Sequence, residues 1–120
     1  MKSVTAFVFA AAVVVAAQPA AAQNAKAQQG AALFTAQKCT MCHSVAGKGN
    51  PKGALDNIGA KDKAAHIREW LSDPEGMRAK TNASRTPAMK PMKLSPEQVD
   101  ALVAYLTSVK PAADTADTER

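Results

Sequence analysis

The only two cysteines of the chain stand three residues apart in Cys39-Thr40-Met41-Cys42, and a histidine, His43, follows at once. If these residues form a helical turn, positions 39, 42 and 43 stand at i, i+3 and i+4 and project to one side. Two thiols and an imidazole on one side of a single turn have few uses. A thioredoxin-like dithiol wants a βαβ context and a much longer chain. A four-ligand zinc site needs another cysteine or histidine at ligand spacing, and only His66 remains. A disulfide between residues 39 and 42 would close a tiny, strained loop. Cysteine, two spacers, cysteine and histidine form the pattern of covalent c-type haem attachment, and that reading leads. The thiols would form thioethers to vinyl groups on one haem edge, and the imidazole nitrogen would meet the iron from the face of the ring.

The ends of the chain narrow the domain. Lys2 gives a positive start, Ala6 to Ala17 is an apolar run, Gln18-Pro19 breaks it, and Ala20-Ala21-Ala22 supplies small residues for cleavage. Residues 1–22 read as a signal peptide cleaved near Ala22/Gln23, since the apolar run falls short of the ~20 residues a membrane span needs. Taking 22 from 120 residues leaves 98, one small domain. Without Lys2 the balance is 14 basic against 10 acidic residues, or +4. Aromatic residues make up only 4% of the chain, so its core would be marginal unless a bound haem served as part of it.

Periodicity places about three main helices. Ala27, Gly30, Ala31 and Phe34 make one apolar stripe on a helix over 25–37. Gly30 costs about 1 kcal/mol there relative to alanine, and close approach of another helix backbone would explain it. Residues 44–61 read as a glycine-punctuated loop. A second helix is predicted over 63–72, with Asp62 as N-cap, Ile67, Trp70 and Leu71 facing inward and Asp73-Pro74 as its stop. Residues 76–93 lack a periodic pattern, and connections that long are usually functional or disordered. Ser95, Pro96 and Gln98 announce the last helix with a capping box, and Val99, Leu102, Val103 and Leu106 make its buried stripe. Pro111 ends that helix, and residues 111–120 read as a disordered tail. No strand pattern appears.

Gly30-x-x-x-Phe34, Cys39-x-x-Cys42-His43 and Ala101-Leu102-Val103-Ala104-Tyr105-Leu106 together resemble the mono-haem class I cytochromes c, small bacterial periplasmic electron-transfer proteins. The resemblance implies an all-α cytochrome c fold over residues 23–110, with N- and C-terminal helices crossing and wrapped around one covalently bound haem c. It places Gly30 and Phe34 against Leu102 and Tyr105. It implies Cys39 and Cys42 as attachment residues and His43 as an iron ligand. The sixth ligand should come from Thr86-Pro87-Ala88-Met89-Lys90-Pro91-Met92-Lys93-Leu94-Ser95. Met89 is favoured over Met92, which lies so close to Leu94 that reaching back across the ring would be cramped. Met77 and a bis-histidine site using His66 are further alternatives, and Met41 reads as core filler. The family often has a proline after the loop glycine, in the region whose carbonyl orients the ligand histidine. Here Ala54 follows Gly53, so that carbonyl is left unassigned.

Histidine plus methionine raises a haem's potential and fills both axial positions, which suits a one-electron carrier rather than an enzyme. Lys38, Lys48, Lys52, Lys61, Lys80, Lys90 and Lys93 flank the motif and the loops expected to rim the haem. They would steer a periplasmic monomer toward acidic docking patches on redox partner proteins, or they are ordinary solvated lysines. Nucleic-acid binding and a stable membrane anchor are not expected. The alternatives are a haem subunit of a larger oxidoreductase, and a haem peroxidase or sensor with a labile sixth ligand.

Overall fold

A computed structural model describes residues 20–111. Most of the signal segment and residues 112–120 of the tail lie outside the described residues. Helix α1 runs over Ala20–Ala36, starting five residues before the predicted 25–37 and ending one residue sooner. Its C-terminus closes through Lys38, whose left-handed backbone (φ 58°) turns the chain sharply into a 3-10 turn over Cys39–Met41. Two two-residue strands follow, β1 (Ser44–Val45) and β2 (Lys48–Gly49), paired antiparallel with Ser44 opposite Gly49. This small hairpin, a 3-10 turn over Pro51–Gly53 and helix α2 (Ile58–Lys61) occupy the segment expected to be loop. Runs this short carry too few residues for any period to show in the sequence.

Helix α3 covers Ala64–Ser72. Ile67 and Leu71, one turn apart, are buried, whereas Trp70 is only half-buried. The expected cap at Asp62 is replaced by another arrangement. Lys63 takes the N-cap position without capping by its side chain, and Asp62 Oδ1 accepts from the Lys63 N–H at 2.9 Å. Asp73-Pro74 ends α3 as expected and, unexpectedly, also starts helix α4 (Pro74–Thr81). Asp73 Oδ1 accepts from the Gly76 N–H at 3.0 Å, and Pro74 occupies the first turn, where its missing N–H costs nothing. α4 buries Pro74 and Met77 and ends at Asn82 in the left-handed region (φ 54°), a common way to close a helix.

Helix α5 (Pro96–Ser108) has the capping box read from the sequence. Ser95 Oγ accepts from Gln98 N at 3.2 Å, and Gln98 Oε1 accepts from Ser95 N at 2.9 Å. Its inner face, Val99, Ala101, Leu102, Val103 and Leu106, is the spine of the core. α1 lies against it. Gly30 sits so close that a Cβ there would overlap the Ala101 carbonyl and stand 2.6 Å from Tyr105 Cβ. One turn on, the rings of Phe34 and Tyr105 meet edge to face at 5.7 Å. The two terminal helices therefore meet as the resemblance implied, with Gly30 facing Ala101 and Tyr105 and Phe34 facing Tyr105, and the fold is the all-α one it implies, carrying one small hairpin. The core comprises Phe34, Ile67, Leu71, Val99, Leu102, Val103 and Leu106, and no described helix is long and apolar enough to cross a membrane.

Candidate haem site

The attachment turn is short because its geometry is set from within. Cys42 N donates to Cys39 O at 3.1 Å and His43 N to the same oxygen at 2.9 Å, which brings Cys39, Cys42 and His43 around one turn. Outside groups then satisfy the carbonyls that point away. Asn50 N donates to Thr40 O (3.0 Å) and His43 O (3.1 Å), and Asn50 Nδ2 to Met41 O (3.1 Å). Arg85 Nη2 donates to Cys42 O at 2.5 Å. Four successive carbonyls, from Thr40 to His43, are thus held by two side chains and one backbone amide. Gly49 (φ 112°) permits the close return of the chain, since a Cβ there would overlap the His43 carbonyl.

His43 is oriented by the loop that follows. Its Nδ1 lies 3.0 Å from Gly53 O. A carbonyl can only accept, so Nδ1 carries the hydrogen and the lone pair of the neutral ring resides on Nε2. Burial pushes the imidazole below its ordinary range, the Gly53 carbonyl works against that shift, and the nearby Arg85 cation reinforces it. A neutral ring with Nε2 available is what iron ligation requires, with the second nitrogen anchored behind it. Ala54 in place of a proline has not prevented the Gly53 carbonyl from accepting this bond.

Cys39 and Cys42 are not joined to each other by a disulfide. Burial pushes the Cys39 thiol up, a hydrogen bond from its own backbone opposes this, and Cys42 adds to the rise. Cys39 packs against the core cluster together with Val45, Leu55, Ile58, Met89, Met92 and Leu94, all only partly buried. These side chains come from both sides of the sequence, residues 39–58 and 89–94. Together they form a partly buried apolar fringe of the core that includes Cys39, while His43 is half-buried and Cys42 is exposed. The donor set and this fringe fit a haem: two nucleophilic sulfurs at one edge, an oriented imidazole, and aliphatic and thioether side chains for the macrocycle faces.

The remaining sequence candidates separate. Met89 and Met92 both border the core, which agrees with a sulfur-bearing loop but does not rank them. Met77 is only 2% exposed and belongs to the interior of α4. Met41 is 70% exposed, so its reading as core filler is wrong: the carbonyl bonds from Asn50 and Arg85 fix the turn with that side chain outward. His66 gives its Nδ1 to Asp62 Oδ1 at 2.6 Å and lines a surface groove with Lys61, Glu69 and Thr107. The sequence reading missed Asn50 and Arg85. Asn50 could have been suspected from its place in the Gly/Pro loop, while Arg85 carried no local signal.

Comparisons with known proteins agree with this geometry. The chain is 32% identical over 93 residues to cytochrome c oxidase subunit 2 of Alkalihalophilus pseudofirmus (strain ATCC BAA-2126 / JCM 17055 / OF4), a match covering 70% of this chain. The match spans only 26% of that relative's length, about a quarter. No solved structure matches the chain. The family model for cytochrome c matches residues 27–110, from the middle of α1 to just beyond α5, and includes the attachment turn and the methionine-bearing segment. The chain therefore belongs to the cytochrome c family of electron-transfer haem proteins, whose haem c is covalently bound.

Proposed function

We propose that Cys39 and Cys42 bind the haem through thioethers, that His43 Nε2 is the fifth iron ligand and that Met89 sulfur is the sixth, making the protein a mono-haem one-electron carrier. The observation that supports this reading best is the His43 Nδ1–Gly53 O bond of 3.0 Å, which leaves the lone pair on the other ring nitrogen available to ligate a metal. When bound, haem supplies the one-electron couple of its iron. The protein's part is to hold the imidazole, exclude water with the apolar fringe and present a thioether that tolerates both oxidation states. Each thiol would add across a vinyl group, the S–H hydrogen going to the vinyl carbon, so nothing is expelled.

Export to the periplasm after removal of residues 1–22 belongs to the same reading, as does a monomer meeting acidic redox partners. Lys38, Lys48, Lys52, Lys61, Lys80, Lys90 and Lys93 are all exposed, which supports such docking. Lys80 also reaches Glu69 at 3.2 Å, a surface pair of little energetic weight. The second reading, a haem subunit of a larger oxidoreductase, draws on the likeness to an oxidase subunit.

The ligand assignment is tested by Met89→Ala, which should abolish the weak long-wavelength sulfur-to-iron band of the ferric protein and lower its potential, while Met92→Ala changes little. The reverse pattern transfers the role to Met92. Gel filtration of the native periplasmic fraction separates a free carrier from a bound subunit.

A further inference from the structure

The segment that bears Met89 has almost no hydrogen bonds of its own. Between the end of α4 and the start of α5 the chain forms neither helix nor strand. Among the described residues, Leu94 N to Met92 O is the one backbone bond within 84–94. A single hydrogen bond among the described residues ties residues 84–92 to other parts of the fold, from Arg85 Nη2 to Cys42 O, across 43 positions of sequence. The same guanidinium lies against Gly53, where a Cβ would overlap it, so it covers both the carbonyl before His43 and the residue whose carbonyl accepts from that ring.

We propose that Arg85 is a positioning residue that straps the Met89 segment to the haem-attachment turn and thereby holds the sixth ligand in place. The inference rests on the assignment of Met89 as that ligand. Residues 85 and 89 are four positions apart, a span of at most about 14 Å, so fixing Arg85 at the turn confines where Met89 can go. Pro87 between them locks one φ and narrows the choice further. A methionine whose loop is already gathered loses less conformational freedom when its sulfur binds, so the bond competes better with external ligands. A Cβ at Gly53 would overlap both the Cys42 carbonyl oxygen and the guanidinium, so glycine there lets the strap and its acceptor pack against one another.

Titration of the ferric holoprotein with imidazole, read as loss of the sulfur-to-iron band, tests the strap. The Soret absorbance per polypeptide verifies that haem attachment is intact. Arg85→Ala should raise the apparent imidazole affinity about fivefold, the loss of one solvent-exposed charge-assisted hydrogen bond. Arg85→Lys keeps the charge but lacks the planar fork that reaches both sites, and should raise the affinity about twofold. If Arg85→Ala fails to accumulate as holoprotein, the lysine variant carries the test. A wild-type protein without the sulfur band overturns the Met89 assignment. A wild-type protein that shows the band, with imidazole affinity unchanged in both variants, overturns the strap alone.

Discussion

Replacing Gly30 with alanine sets two effects of opposite sign against each other. Alanine is the better helix former by about 1 kcal/mol, so in an isolated α1 the change would stabilise. In the folded protein the new methyl would stand 2.6 Å from both the Ala101 carbonyl carbon and Tyr105 Cβ, about 0.8 Å short of an ordinary 3.4 Å contact, and would overlap the Ala101 oxygen outright. Backbone atoms in the middle of α5 cannot step aside, so α1 must retreat by at least about 1 Å to clear the oxygen, which the methyl would approach to 2.0 Å. A gap of 0.5–1 Å forfeits roughly a quarter to a half of each dispersion contact along the crossing, including the Phe34–Tyr105 edge. Overpacking of this kind costs about 1–3 kcal/mol, and the upper end applies because the obstacle is backbone. Subtracting the propensity gain leaves a net loss of about 2 kcal/mol. At about 4–8 °C per kcal/mol for a domain of this size, the melting temperature should fall by about 8–16 °C. Thermal unfolding of the holoprotein followed by far-ultraviolet circular dichroism measures it. An unchanged or higher melting temperature would refute the close-packed crossing.

Removing the α5 cap by Ser95→Ala should cost about 1 kcal/mol, whereas Ser95→Gly should cost only a few tenths; denaturant midpoints distinguish them. Burial, with Asp56 adding, holds the Tyr105 phenol above its ordinary 10.0 in the folded chain. That contribution to stability is present in full below the unfolded value and is lost as pH rises through the folded one, so alkaline urea midpoints should fall less steeply in Tyr105→Phe. Electron transfer to an acidic partner should slow by about tenfold as salt is raised from millimolar to physiological levels, and a flat ionic-strength profile in stopped-flow measurements would remove the lysines from docking.

The local rules that govern one turn or one helix were legible in the sequence. Cys39, Cys42 and His43 carry their chemistry in their spacing, and the Ser95–Gln98 box is a matter of four residues. Gly30 was legible too, because a glycine inside an apolar stripe needs a reason and the opposing backbone at Ala101 is that reason. Helix α4 was missed although its signal is local. Asp73-Pro74 both ends one helix and starts the next, and the eight residues of α4 are too few and too polar to show a stripe.

Tertiary structure alone decided how the site is held. The Gly53 carbonyl reaches His43 from ten positions away, Asn50 gathers the turn's carbonyls, and Arg85 reaches Cys42 from 43 positions away. Residue type fixes what a hydrogen-bond donor can do, but its partner is chosen when the hairpin, α4 and α5 pack and leave particular carbonyls in need of one. The identity of the reactive groups is thus written in a five-residue motif. Their orientation belongs to the whole fold, because a directional bond depends on where distant backbone comes to rest.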